Sequence, residues 1–257
     1  MRIATWNVNS IRQRQGHVER WLADAKPDVL VLQETKCEAP AFPTAAFEAL
    51  GYRSLVVGQK SYNGVAALSR IPFETTHTTL PGLDETASAQ ARYVEITADG
   101  ITIIGIYLPN GNSGGEAGYA AKLAWMAALR ARAADLMEQD TDFVILGDFN
   151  VAPTDADFAK GALAFGDALV RPETRAQYNS LIWLGLTDAI RALHPSGPVY
   201  TFWDYQAGAW RRDAGLRIDH ALLSPKLAER LAAATPIRRE RGEEQPSDHV
   251  PVVIDLE

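Results

Sequence analysis

The chain has 257 residues, of which 47% are hydrophobic and 22% are charged, and its formal net charge is −7. This composition is typical of a globular protein with a sizeable core, and it excludes disordered, fibrous and coiled-coil classes. No apolar run reaches the ~20 residues that a membrane-spanning helix needs, so we expect no membrane partner. Taken alone, the acidic charge argues against nucleic acid as a partner.

The N-terminus and the cysteine content bear on the cellular compartment. Residues 1–7 lack the cationic segment and apolar stretch of a signal peptide. The single cysteine, Cys37, permits neither an intramolecular disulfide nor a cysteine zinc site. We therefore expect a cytoplasmic protein.

Short apolar runs rich in β-branched residues recur along the chain and predict largely buried strands. In chain order they lie at residues 3–6, 29–32, 65–68, 101–106, 143–146, 222–223 and 250–256. Helical patterns between them predict helices at residues 15–25, 117–139, 176–184 and 225–234. The later strands lack regular helical crossovers, so a mixed, layered α/β architecture fits better than a single parallel sheet.

Two segments of the chain resemble each other. Residues 28–34 and 142–148 each contain an Asp, an apolar run, and then a small or polar residue and an acid. Two similar halves packed sheet on sheet would produce this similarity, and so would chance, because the match is short. No linker divides the chain, so we expect one domain over residues 1–257.

Polar side chains follow several predicted strands, where a strand can fix them and the loop beyond opens to solvent. They are Asn7, Glu34, Tyr107, Asp148 with Asn150, Asp219, and Asp248 with His249. Asp148 and Asn150 point to the same side of an extended segment, and their oxygens suit a hard cation or an activated water. The alternatives are an Asx-type turn for this pair and a helix cap for Glu34.

Asp219 lies inside an apolar strand pattern, where a buried carboxylate needs a partner. His249 is a natural one, because an Asp that orients a His is a common general-base arrangement; a structural histidine is the alternative. The Walker A, Gly-x-Ser-x-Gly and His-Glu-x-x-His motifs are missing from the sequence. Oxygen-ligated Mg²⁺ or Mn²⁺ acting on a phosphate ester is the chemistry that remains.

In order along the chain, these motifs resemble those of the endonuclease/exonuclease/phosphatase superfamily, and within it the exonuclease III branch of bacterial abasic-site endonucleases. The resemblance runs nearly from end to end, and the block from residue 201 to residue 219 is specific to the DNA-repair branch. The matching segments are residues 5–9, 32–36, 62–66, 107–111, 147–155, 201–205, 215–219 and 246–251.

The resemblance implies a fold, a cofactor and a set of roles. The fold is a DNase I-like four-layer α/β sandwich, with two packed mixed β-sheets flanked by helices. The cofactor is Mg²⁺, for which Mn²⁺ can substitute, and Glu34 is its main implied ligand. Asp148 would handle the attacking water, Asn150 would position it, and Tyr107 and His249 would contact the phosphate; His249, oriented by Asp219, is the alternative base. The implied ligands together are Asn7, Glu34, Asp148, Asn150, Asp248 and His249.

The implied function is that of a DNA-repair phosphodiesterase that cuts 5′ to abasic sites in duplex DNA and has 3′-to-5′ exonuclease and 3′-phosphodiesterase or phosphatase activity. Its partner would be duplex DNA with abasic sites or 3′ blocking groups, and we expect a monomer without an obligate protein partner. The implied pocket for the baseless sugar is lined by Phe202, Trp203, Leu216 and Ile218, with core packing as the alternative for Trp203 and Ile218. The implied contacts with the DNA backbone are Arg12, Asn63, Gly64, Asn110 and Arg217.

Two departures from the family pattern leave the ratio of endonuclease to exonuclease activity open. Asn9 stands where some relatives carry an acid, and the Gly-rich loop after Asn110 lacks an arginine that some relatives use to hold DNA. Two other functions remain as alternatives: hydrolysis of RNA or lipid head-group phosphodiesters on the same fold, and non-catalytic DNA binding. The block at residues 201–219 argues against the first, and the complete set of acids argues against the second.

Overall fold

The computed structural model describes residues 1–257 and contains twelve strands and seven helices. The strands are β1 (Arg2–Asn7), β2 (Val29–Gln33), β3 (Arg53–Val57), β4 (Val65–Ser69), β5 (Glu74–His77), β6 (Tyr93–Ala98), β7 (Ile101–Tyr107), β8 (Phe143–Asp148), β9 (Thr187–Asp188), β10 (Asp219–Leu223), β11 (Leu231–Pro236) and β12 (Val252–Leu256). The helices are α1 (Ile11–Ala25), α2 (Thr44–Ala49), α3 (Glu85–Ser88), α4 (Gly115–Glu138), α5 (Pro172–Ile182), α6 (Ala189–Leu193) and α7 (Pro225–Ala228). None of these helices combines the length and the apolar character needed to cross a membrane.

The strands form two six-stranded mixed sheets. Their orders are β11-β12-β1-β2-β4-β3 and β5-β6-β7-β8-β10-β9. Each sheet has one parallel pair at its centre, β1 with β2 and β7 with β8, and the other pairs are antiparallel. Every residue of β2, β4 and β8 is buried, because these strands are covered on both faces. Such strands read as continuous apolar runs, which is why the sequence revealed them.

The two sheets pack face to face around a shared apolar core, to which Val31 of the first sheet and Val144 of the second belong. Trp21 of α1 packs with Leu30 over the outer face of the first sheet. On the opposite side, Leu129 of α4 belongs to the cluster that covers the second sheet. The layers therefore run helix, sheet, sheet, helix, which confirms the predicted four-layer sandwich.

The two similar sequence segments occupy equivalent places in the two sheets. β2 and β8 are each fourth in the order of their sheet, with a parallel neighbour on one side and an antiparallel neighbour on the other. The acids that follow or end these strands, Glu34 and Asp148, meet on one amide: Asn7 donates hydrogen bonds to both. The repeated pattern thus places one carboxylate from each sheet at a common site.

One predicted element is wrong in its second half. The pattern at residues 225–234 predicted a helix, but α7 ends at Ala228 and β11 begins at Leu231. β11 pairs antiparallel with β12 at the edge of the first sheet. The hydrogen bonds of this pairing outweigh the helix propensity of the alanine-rich segment, as tertiary context often does.

Candidate active site

Strand ends bring the predicted side chains to one edge of the packed sheets. Asn7, Tyr107 and Asp148 are the last residues of β1, β7 and β8. The register places both Tyr107 and Asp219 opposite Asp148. Glu34 follows β2 directly in a left-handed conformation, with φ at 50°. Because neighbouring strands fix these backbones, the side chains converge without support from a flexible loop.

Three side chains form a group suited to a metal ion. One ligand atom each from Glu34, Asp148 and His249 lies within 4.8 Å of the others. Asn7 lies between the carboxylates: its Nδ2 donates to Glu34 Oε1 at 2.9 Å and to Asp148 Oδ2 at 3.0 Å. Its Oδ1 instead accepts from the backbone N–H of Asn9 at 3.0 Å. In this orientation Asn7 positions the two carboxylates, and its role as a ligand stays a prediction.

Two other predicted ligands lie outside that group of three. Asn150 Oδ1 accepts from Asn110 Nδ2 at 2.9 Å, and its own Nδ2 donates to the carbonyl of Leu108 at 2.9 Å. Asp248 lines the adjacent cavity, where its Oδ1 accepts from Asn9 Nδ2 at 3.2 Å. The residues present fit a hard divalent cation, since they offer two carboxylates beside one imidazole and further oxygen ligands nearby.

Lys36 sets the charge state of Glu34. Burial alone would raise the pKa of Glu34, but the ammonium of Lys36 and the hydrogen bond from Asn7 lower it below its usual value. Lys36 Nζ lies 2.8 Å from Glu34 Oε2. Glu34 is therefore ionised at neutral pH, which is the form that binds a cation.

The pKa of Asp148 is shifted in the opposite direction to that of Glu34. Burial raises the pKa of Asp148 against the effect of His249, and the nearby carboxylates of Asp219 and Glu34 raise it further. Its Oδ1 accepts from the backbone N–H of Asn150 at 2.9 Å. A divalent cation beside the carboxylate would favour the ionised form again. With a cation beside it, Asp148 is thus ionised and able to accept a proton.

His249 is held by Asp219. Its Nδ1 lies 2.8 and 3.1 Å from the two carboxylate oxygens of Asp219, and its Nε2 lies 3.7 Å from Asp148 Oδ2. Burial opposes protonation, but Asp219 and Asp148 raise the pKa of His249 to about 10. The Phe202 ring packs against the imidazole at a steep angle of 66°, with 4.9 Å between centroids. Nδ1–H therefore donates to Asp219, and Nε2–H points toward the reacting groups.

Tyr107 is kept protonated. Burial raises the pKa of Tyr107, and the carboxylates of Glu34 and Asp148 raise it further. The guanidinium of Arg92 lies over the ring, 4.6 Å from its centroid, and donates to the Tyr107 carbonyl at 3.2 Å. The phenol is thus a fixed hydrogen-bond donor in the cavity.

A cavity of about 480 Å³ opens beside these groups. Its polar end contains Glu34, Asp148 and His249, and its apolar wall contains Phe202, Leu216 and Ile218. The structure thus places all three of those apolar residues where the resemblance implied a slot for a baseless sugar. Leu216 and Ile218 also pack in a small cluster with other apolar residues, so they form the wall from its inner side.

Arg217, predicted to contact DNA, and Trp203, predicted to line the sugar pocket, are both buried structural residues. Arg217 is 1% exposed, and it donates to Asp157 Oδ1 at 2.7 Å and to Asp188 Oδ2 at 2.6 Å. Trp203 is 0% exposed, and its Nε1 donates to Asp213 Oδ1 at 2.9 Å. Each side chain satisfies its polar atoms inside the protein and presents no surface to DNA, so the DNA contact predicted for Arg217 is wrong, and for Trp203 the alternative of core packing holds.

The remaining residues predicted to contact DNA differ in their exposure to solvent. Gly64 is buried, its N–H donates to the Ala91 carbonyl, and a Cβ there would lie 2.1 Å from Thr35 Oγ1. Close packing is therefore its role, which corrects the prediction for Gly64. Its neighbour Asn63 is partly exposed, while Arg12 on α1 and Asn110 at the cavity rim are exposed. These three remain predictions.

Sequence analysis missed Lys122 of α4. Its side chain is fully buried, and Nζ donates to the backbone carbonyls of Asn110 at 2.9 Å and Asn150 at 2.7 Å. Burial lowers the pKa of Lys122 to about 7. The ammonium holds in place the two asparagines whose side chains meet at the rim. The signal in the sequence was a lysine at helical spacing from the apolar Tyr119 and Trp125, on the face of α4 that is buried.

Replacing Arg217 by methionine is expected to destabilise the protein by about 3–5 kcal/mol, because it removes the arginine that pairs with buried Asp188 and one of the two arginines that pair with buried Asp157. Urea unfolding measures this loss. The matched control is Arg12→Met at an exposed position, which we expect to change stability by less than about 0.5 kcal/mol. Wild-type stability together with weakened DNA binding in Arg217→Met would restore the DNA contact that the structure excludes.

Known proteins match the whole chain. The model of the Endonuclease/Exonuclease/phosphatase family matches residues 4–249. Exodeoxyribonuclease III of Haemophilus influenzae is 32% identical over 262 residues, which covers 98% of each chain.

Two solved structures are similar along their full length. The 3′ phosphatase NExo from Neisseria, solved with a product DNA hairpin, superposes with a TM-score of 0.94 at 39% identity and covers 100% of this chain and 99% of its own. An AP endonuclease from Archaeoglobus fulgidus gives a TM-score of 0.93 at 36% identity, with the same two coverages. The DNase I-like fold and the resemblance to exonuclease III are thus confirmed, and the chain belongs to the Endonuclease/Exonuclease/phosphatase family.

Proposed function

We propose that this chain is a metal-dependent DNA-repair phosphodiesterase that cuts 5′ to abasic sites in duplex DNA and removes 3′ nucleotides and 3′ blocking groups. The chain is a nuclease of the exonuclease III type by family and by relatives. The observation that carries the finer proposal is the shared cavity, in which Glu34, Asp148 and His249 face an apolar wall that contains Phe202 and Ile218.

Mg²⁺, with Mn²⁺ as a substitute, is the cofactor that we propose. Glu34, Asp148 and His249 would hold it, with Asp248 at the cavity beside them. When bound, such a cation neutralises phosphate charge and lowers the pKa of water. Its own charge also offsets the acids of the site, so the net charge of −7 does not exclude DNA as the substrate.

The side chains account for the chemistry of the cut. Asp148 accepts a proton from the attacking water, and the N–H of Asn150 holds the Asp148 carboxylate in position at 2.9 Å. The water oxygen bonds to phosphorus while the bond from phosphorus to the 3′ oxygen breaks. His249 Nε2–H and the Tyr107 hydroxyl donate to the phosphate oxygens as their charge grows, which favours the transition state.

The apolar wall accounts for the choice of substrate. A deoxyribose without its base can enter a slot between Phe202, Leu216 and Ile218, whereas a full nucleotide is larger. Turning a sugar out of the helix also costs least where no base has to be unpaired and unstacked.

We also infer a cytoplasmic, monomeric protein of one domain. The single cysteine is buried and unpaired, as is usual in a reducing compartment. Hydrolysis of RNA or lipid head groups is the alternative within the fold, but the relatives named above are DNA enzymes. Non-catalytic DNA binding is the other alternative. The presence of all three candidate metal ligands, Glu34, Asp148 and His249, argues against it.

Duplex DNA that carries one tetrahydrofuran abasic analogue tests the proposed function. With Mg²⁺ we expect one cut 5′ to the analogue, no cut at that position in undamaged duplex, and no cut in EDTA. A 3′-recessed duplex should be shortened under the same conditions. An intact abasic duplex, combined with hydrolysis of RNA or sphingomyelin by the same preparation, would assign the chain to the alternative substrates.

A further inference from the structure

Phe165 is an aromatic side chain that the site described above does not use. It lies in the segment between Phe158 and Arg171, and its ring is fully exposed to water. Apolar surface gains free energy when it leaves water, so an exposed ring at a functional rim marks a place where a partner can bind.

A structured turn presents the ring. The N–H of Asp167 donates to the carbonyl of Ala164 at 3.3 Å, and Gly166 at the third position of the turn has a φ of 76°. A type II turn requires a positive φ at that position and leaves the residue before it, here Phe165, at the outer corner. Asp167 Oδ1 braces the turn by accepting from the N–H of Leu169 at 2.9 Å.

The turn belongs to the rim of the active-site cavity. Ala162, Leu163 and Asp167 of the same segment line that cavity, and Arg212 lines it from another loop. Asn112 Nδ2 joins the two parts of the rim by donating to Asp167 Oδ1 at 3.2 Å. A phosphate that reaches the polar end of the cavity carries the rest of its nucleic acid across this rim. Bound DNA would therefore pass close to Phe165.

We propose that Phe165 is a nucleobase-stacking subsite, in which its ring lies against the face of a base beside the abasic gap or at a 3′ end. In an intact duplex each base face is covered by its neighbour, and a missing base or a strand end uncovers one. The ring thus adds a preference for damaged or terminal DNA that needs no sequence-specific hydrogen bond. The inference rests on the proposed function, because it takes DNA as the substrate.

Phe165→Ala is the direct test, on a duplex with a tetrahydrofuran site next to 2-aminopurine. We expect KM to rise about tenfold with kcat within about twofold, since stacking on an aromatic ring contributes of the order of one factor of ten in binding per base. In EDTA, cleavage does not occur and only binding is measured. The 2-aminopurine emission should stay quenched when the wild type binds and should rise when Phe165→Ala binds. Phe165→Trp should restore both readouts.

Trp183→Ala is the matched control, since Trp183 is also an exposed aromatic residue but no neighbouring residue in its segment lines the cavity. We expect its KM and emission to equal those of the wild type. Wild-type KM and emission in Phe165→Ala would overturn the inference, as would equal losses in both variants. Loss of a dimer in Phe165→Ala during size-exclusion chromatography would instead assign the ring to self-association. These outcomes differ from a failure of the proposed function itself, in which the wild-type protein would leave the abasic duplex uncut.

Discussion

Glu34→Gln is expected to lower Mg²⁺-dependent cleavage by about 10²–10³-fold, because charge stabilisation by a correctly held cation is worth several kcal/mol. The substitution keeps the size of the side chain, and the new amide oxygen can still accept from Asn7, which now bonds to Glu34 Oε1 at 2.9 Å. It removes the negative charge that the neighbouring ammonium of Lys36 keeps ionised. The fold should therefore persist while the cation site weakens.

Two measurements separate the metal site from the fold. Cleavage rates across a range of Mg²⁺ concentrations should show a higher requirement for metal in Glu34→Gln, and calorimetric titration should show weaker Mg²⁺ binding. Thermal unfolding in EDTA should remain close to that of the wild type. Glu74→Gln, at an exposed position on the edge strand β5, is the control and should match the wild type in all three. Unchanged turnover with an unchanged Mg²⁺ dependence in Glu34→Gln would remove Glu34 from the metal site.

The convergence of the site could be predicted from the sequence because it follows from local patterns. A buried strand reads as an apolar run, and the polar residue at its end marks the edge of a sheet. Glu34 and Asp148 were found in this way. The pairing of Asp219 with His249 could be predicted as well, because a carboxylate inside an apolar strand requires a partner.

The failures arise from contacts between residues far apart in the chain. Arg217 was expected at the DNA, but its partners Asp157 and Asp188 precede it by 60 and 29 residues, and no local pattern reveals them. Similarly, β11 is a strand because β12 lies beside it.

The net charge of the sequence is also a poor guide to the DNA-binding surface. Acids buried against arginines, such as Asp157 with Arg217 and Glu95 with Arg132, whose Nη2 lies 2.6 Å from the Glu95 carboxylate, form neutral pairs and leave the balance unchanged. Other acids face the proposed cation. The balance of −7 therefore describes the whole chain, and it does not describe the surface that meets DNA.

Asp219→Asn is expected to reduce the rate of cleavage at neutral pH by about 10²–10⁴-fold, the range of general acid–base contributions and of amide replacements at an orienting aspartate. Asp219 accepts from His249 Nδ1 at 2.8 Å and so directs Nε2–H toward the phosphate. An asparagine lacks the negative charge that keeps the imidazole protonated, and where its amide oxygen accepts from Nδ1–H, the neutral ring has no proton on Nε2 to donate to the phosphate. Near-normal turnover of the abasic duplex in this variant would show that the pairing does not serve the reaction.

The same substitution has a signature in stability that needs neither metal nor DNA. Against the effect of burial, Asp219 and Asp148 raise the pKa of His249 from 6.5 to about 10. A histidine whose pKa is raised by folding stabilises the folded state fully below pH 6.5, and this contribution is lost as the pH rises toward 10. In Asp219→Asn the pKa of His249 falls, since burial then meets less opposition.

The free energy of unfolding in EDTA should therefore differ most between wild type and Asp219→Asn near pH 6, and the difference should shrink as the pH approaches 10. Urea unfolding at several pH values measures it. Asp99→Asn, at an exposed turn position whose positive φ suits asparagine, is the control and should give no pH-dependent difference. A difference of constant size from pH 6 to pH 10 would mean that Asp219 supports the fold without holding the charge on His249. The imidazole would then lack the proton that the proposed mechanism directs at the phosphate.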